Sequence, residues 1–136
     1  MANLDAGKRH VLILDRDLAF AFWLGQALDL AGYDAFPAKS CEDATELLTH
    51  LNVSIDLLVV GYASPGAVAL ANALRRSQPH FKVLAAVAEG EEAISIFTEA
   101  DAVLSKPSSA VSASKAEWLR TIEGLLSQDY FAASNP

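Results

Sequence analysis

Short aliphatic, β-branched runs alternate with amphipathic stretches from one end of this chain to the other, and that alternation admits very few folds. The runs are His10–Leu14, Tyr33–Phe36 ended by Pro37, Ile55–Val60, Lys82–Ala88 and Ala102–Leu104. Continuous apolar runs of this length suit strands covered on both faces, as in a parallel sheet. Between them lie helical patterns. Phe20, Trp23, Leu24, Ala27, Leu28 and Ala31 recur at spacings of three and four, and Gly32 follows where a helix would stop. Ser40 with Asp43 resembles a capping box and opens a stripe of Ala44, Leu47, Leu48 and Leu51. Ala67–Ser77 forms the next helix, with Pro79 marking its end, and Glu89 opens another that reaches about Glu99. The last runs from Ala113 to Leu126, with Trp118, Leu119, Ile122, Leu125 and Leu126 on one side. Strand-helix alternation predicts an α/β, doubly wound (βα)5 flavodoxin-like fold: five parallel strands in three α/β/α layers. Residues 10–127 form its single domain, with short tails at 1–9 and 128–136.

A chain of 136 residues, 52% hydrophobic and 20% charged, can bury a core without disulfides. Cys41 is its one cysteine and supports neither an internal disulfide nor a zinc site; a half-buried apolar role is expected. The net charge of −7 argues against nucleic acid as a partner, and the Lys8-Arg9 and Arg75-Arg76 pairs are expected to be solvated. The chain shows no apolar run long enough to span a membrane and no signal sequence, so a cytoplasmic location is the default expectation.

In open α/β sheets, ligands bind at the carboxyl ends of the strands near the point where strand order reverses. The first predicted strand ends in Asp15, Arg16 and Asp17, the third in Gly61, the fourth in Val87 and Ala88, and the fifth in Ser105, Lys106 and Pro107. A carboxylate and an ammonium facing one crevice make either an anion or metal site or a structural ion pair. Asp17 reads as the N-cap of the first helix. Asp56 lies five residues before Gly61, on the order of 16 Å back along the strand, and is out of reach.

Several stretches together resemble the receiver domain of two-component response regulators. These are Val11–Asp15, Leu28 with Ala31-Gly32-Tyr33, Asp56–Gly61 with Pro65 four residues on, and Ala100–Pro107 with its Lys106-Pro107 pair. The resemblance implies a phosphorylation pocket, and the departures from it carry the functional reading. The phosphoacceptor position is Gly61, which has no side chain to phosphorylate. The first acid of the family's pair is kept as Asp15. The second, a metal ligand in the family, is Arg16, which would repel Mg2+ and could pair with Asp15 instead. The hydroxyl position is Val87 and the aromatic switch position is Val103; only Lys106 keeps its identity. Mg2+ binding is therefore expected to be lost, no cofactor is expected, and the chain is not expected to be an enzyme.

This resemblance predicts a degenerate receiver that acts as a phosphorylation-independent protein-binding module in signal transduction. Its partners would be proteins of a signalling pathway or a second copy of the chain. The alternatives are a conventional phosphorelay receiver and a small-anion or metabolite-binding domain using Arg16 and Lys106. Neither a G-x-G-x-x-G after the first strand nor a P-loop motif favours a nucleotide. Leu18 and Phe22 form a candidate apolar contact patch four residues apart, unless Phe22 merely covers its own helix. Phe97, crowded with Ile94 and Ile96, and Trp118 are further candidates, although Trp118 fits the core better. Tyr130-Phe131 lies in the expected loose tail. The 19 positions from Val87 to Lys106 suggest a shortened fourth helix.

Overall fold

A computed structural model describes residues 9–51, 54–61, 66–78, 80–87, 100–106 and 114–134. The elements run β1 (His10–Leu14), α1 (Leu18–Leu30), β2 (Asp34–Ala38), α2 (Cys41–Leu51), β3 (Leu57–Gly61), α3 (Ala67–Ser77), β4 (Lys82–Val87), β5 (Ala102–Ser105) and α4 (Ser114–Ser134). All strand pairings are parallel, in the order β2-β1-β3-β4-β5. The α/β expectation holds. The order reverses between β1 and β3, which opens a crevice at their carboxyl ends.

The central strands β1, β3 and β4 are apolar nearly along their length because both faces of the sheet are covered there. Val11, Ile13, Leu57, Val59, Leu84 and Ala86 face one core, closed by Phe20, Leu24 and Leu28 of α1 and by Trp118, Ile122 and Leu125 of α4. Leu12, Leu14, Leu58, Val60, Val83 and Ala85 face the other, closed by Ala44 of α2 and by Ala67, Ala71 and Leu74 of α3. Alternate residues of one strand thus feed opposite cores.

Local signals set the helix ends. The Asp17 side chain accepts a hydrogen bond from the Phe20 N–H at 3.2 Å and caps α1, as its position suggested. At the other end Gly32 has φ +98°, its N–H donates to Asp29, and the Tyr33 N–H donates to Leu28. This six-residue closure needs a left-handed residue, and glycine supplies it without a Cβ penalty. Ser40 Oγ accepts from the Asp43 N–H at 3.1 Å and starts α2.

Three expectations need correction. Pro37 does not end β2; it lies inside it, opposite Ile13. The Asp34 N–H donates inward to Arg9. By the period of two, Ala35 and Pro37 therefore turn their nitrogens away from β1, where the missing N–H costs no ladder bond. Secondly, the last helix does not stop at Leu126: the α4 backbone, Tyr130 and Phe131 included, is helical through Ser134. Gln128 to Ser134 contains no glycine or proline to interrupt it. Thirdly, of the two readings of Trp118 the core one holds and the contact one falls. At 1% exposure it heads the fully buried side chains. The helix expected over Glu89–Glu99, with Ile94, Ile96 and Phe97, and the turn at Pro79 lie outside the described residues.

Trp118 packs against Phe20 edge-on, with ring centroids 5.3 Å apart, so it joins α4 to α1 over the sheet. Replacing it by alanine is expected to lower unfolding stability by about 3–5 kcal/mol, read as a shifted midpoint in urea. A change below about 1 kcal/mol would contradict this placement.

Candidate functional site

Among the described residues, the carboxyl ends of the strands meet around the Asp15 carboxylate. Asp15 leaves β1 with its N–H donating to Ala38 of β2, which holds the residue at the mouth of the crevice. Its carboxylate is nearly buried. Oδ1 accepts the N–H of Asp17 at 2.9 Å. Oδ2 accepts no directed hydrogen bond and lies 2.7 Å from Nζ of Lys106. The side chains of the pair are 7% and 16% exposed, so water screens this attraction much less than at an open surface. Lys106 comes from the opposite side of the crevice, just past β5, where its N–H donates to Val87 of β4 at 2.8 Å.

Gly61, the last residue of β3, lies directly under the Asp15 carboxylate. A Cβ at position 61 would stand 2.6 Å from Oδ2, 2.7 Å from Cγ and 2.9 Å from Oδ1 of Asp15. Glycine is required here by close approach, not by backbone conformation. The space a side chain of residue 61 would use is occupied by the Asp15 carboxyl group. Any larger residue must push that group off Lys106 and off the Asp17 N–H.

The ammonium group is gripped from a second side. Nζ of Lys106 lies 5.1 Å from the centroid of the Phe20 ring, a cation–π distance. Phe20 in turn meets Trp118, whose Nε1–H donates to the carbonyl of Ser105 at 3.3 Å. Ser105 precedes Lys106, so the contacts close into a ring: Lys106, Phe20, Trp118 and back to the strand that carries the lysine. Phe20 also stacks against Trp23 at 6.1 Å. Phe20 and Trp118, which read as core residues in the sequence, therefore also support the site. The signal for Phe20 was its place three residues after the cap Asp17, on the helical turn that faces the crevice.

The remaining candidates divide. Val87 is buried at the end of β4, opposite Ser105. Val103 is 44% exposed on β5. Arg16 is exposed and does not take up Asp15, whose oxygens are held by Lys106 and the Asp17 N–H. The lysine reaches into the crevice from its far wall, whereas Arg16 turns outward at the bend before α1. Leu18 and Phe22 are exposed on α1. Phe97 lies outside the described residues. Cys41 is partly buried, and burial raises its thiol pKa.

Two charged groups outside the crevice went unnoticed in the sequence. Asp101, before β5, accepts the N–H of Val83 at 2.8 Å and lies 3.4 Å from Arg75, so Arg75 is not simply solvated. At the amino end of the sheet, His10 stacks on Phe36 and stands 3.5 Å from Asp34 and 3.9 Å from Asp56. Asp56 also accepts the His10 N–H at 2.8 Å, which places it at the far end of the sheet from Gly61. The sign pattern was present, with acids at the start of both strands flanking β1. Its meaning depended on strand order.

No family model matches the sequence, and no curated protein matches it. The fold has many solved counterparts. A response regulator of Chloroflexus aurantiacus is 25% identical, with 88% of this chain and 98% of that one covered and a TM-score of 0.69. A CheY-like response regulator receiver domain protein of Methanospirillum hungatei is 20% identical over 90% and 96% of the two chains, at a TM-score of 0.71. A Thermotoga maritima response regulator, solved in complex with Mg2+-BeF, is 18% identical over 86% and 98%, at 0.64. The chain thus has the receiver fold nearly end to end.

Removing the ammonium while keeping the stem, as in Lys106→Met, leaves Asp15 in the crevice without its counter-charge. Unfolding stability should fall by about 3–5 kcal/mol in urea titrations at neutral pH. A loss no larger than that of an exposed pair, about 1 kcal/mol or less, would show that the contact contributes little.

Proposed function

We propose that this chain is a receiver-like signalling module that works without phosphoryl transfer, by binding proteins, and that it is not an enzyme. One observation carries the reading. The carboxylate of Asp15 lies over Gly61 and is paired with Lys106, so the crevice is self-occupied. Phosphoryl transfer in this fold would need a carboxylate nucleophile at position 61, and glycine has none. It would also need a divalent cation held by acids. Asp15 has one oxygen on an ammonium and the other on a backbone N–H, and Arg16 stands beside it. These residues do not fit Mg2+, whose octahedral shell requires several free oxygen ligands.

The same contacts weigh against the anion-binding alternative. Lys106 is neutralised by a carboxylate at 2.7 Å, and an incoming anion would have to displace it. Protein binding is supported by the fold shared with receiver domains and by apolar side chains exposed on α1.

Amide NMR spectra with Mg2+ and beryllofluoride test this reading. No saturable shift is expected at Asp15, Gly61 or Lys106, with a Mg2+-BeF-binding response regulator as the positive control. A saturable shift there would overturn it. Gly61→Asp alone is expected to stay unmodified by acetyl phosphate in intact-mass spectra and to lose about 1–3 kcal/mol of stability, because the new side chain collides with Asp15. A stable, phosphorylated Gly61→Asp protein would contradict the account.

A further inference from the structure

The outer face of α1 is unlike an ordinary solvent face. Leu18, Phe22 and Leu30 are 41%, 59% and 78% exposed, and Gln26 is exposed between them. The four residues follow one another at intervals of four and form a single ridge along the helix. Ala19 and Trp23 flank it, and Asp29 is the one charged residue of the whole helix. In a chain with a net charge of −7, this is a surface from which charge has been withdrawn.

We infer that this ridge joins two copies of the chain about a twofold axis. The inference rests on the reading of the chain as a protein-binding module and names its partner. A twofold contact must be self-complementary, and this face carries one charge of each sign at its two ends. Ridges spaced by four interdigitate with their own kind at a crossing of roughly −50°, the commonest helix packing. The nearest charges are Arg16, exposed just before the helix, and Asp29, exposed near its end. When two α1 helices cross antiparallel about Phe22 and Trp23, Arg16 of each copy comes to Asp29 of the other. The arginine that stands where the receiver family carries an acid thereby gains a partner. A foreign helix would have to match this charge order; a second copy does so by symmetry. One helix face buries less area than a standard interface, so association should be in the micromolar range.

Sedimentation velocity of the full chain, from low to high micromolar concentration, tests the proposal. A reversible dimer is expected. Phe22→Glu should leave a monomer with an unchanged thermal melt. Arg16→Glu and Asp29→Lys should each weaken the dimer roughly tenfold, since each change alters two rim ion pairs and sets like charges together. The combined swap should restore it. A monomer at every concentration, a dimer that survives Phe22→Glu, or a combined swap no better than its parents would each overturn the proposal. A monomer that also shows no beryllofluoride response would leave the protein-binding reading standing and remove only the second copy as partner.

Discussion

The ion pair between Asp15 and Lys106 holds the carboxyl end of the sheet together. Asp15 comes from the strand at the centre of the crossover and Lys106 from beyond the last strand, so the pair spans the crevice. A buried pair of this kind contributes less through its own attraction than through what its loss would leave behind. Each charge is held on further sides: Asp15 by the Asp17 N–H, Lys106 by the Phe20 ring. The cap of α1, the aromatic contact to α4 and the bare backbone of Gly61 all take their positions around these two groups. The strand ends are thereby joined through side chains as well as through the ladder.

Much of the architecture could be read from periodicity. The apolar runs and helical stripes placed every described strand and helix within a few residues, the carboxyl end of α4 excepted, because burial on both faces of a parallel sheet leaves a strong mark. Pro37 was misread because proline stops a strand only when its nitrogen faces a neighbour, and which way it faces depends on pairing order. The helical stretch after residue 127 was missed because Gln128–Ser134 carries no apolar stripe of the strength seen before it.

The site was legible in part. Asp15, Gly61 and Lys106 were all recognised at strand ends, and the structure brings them together. Two partners for Asp15 were open, Arg16 beside it in sequence and the ammonium across the crevice; the structure takes the second, a residue 91 positions away (106 minus 15). Contacts of such separation leave no local trace. The roles of Phe20 and Trp118 were hidden for another reason. An aromatic ring under an ammonium follows the same helical spacing as one that only fills a core.

The proline inside β2 has a consequence for the molecule in company. β2 is an outer strand of the sheet, and open strands invite pairing with those of other molecules. Between Asp34 and Ala38 only Ala35 and Pro37 turn outward, and one of these two has no hydrogen to donate. A strand laid against this edge would find a broken ladder. Such an interruption guards against uncontrolled stacking of sheets into fibrils, and it leaves helical faces as the better route by which the chain can meet another protein.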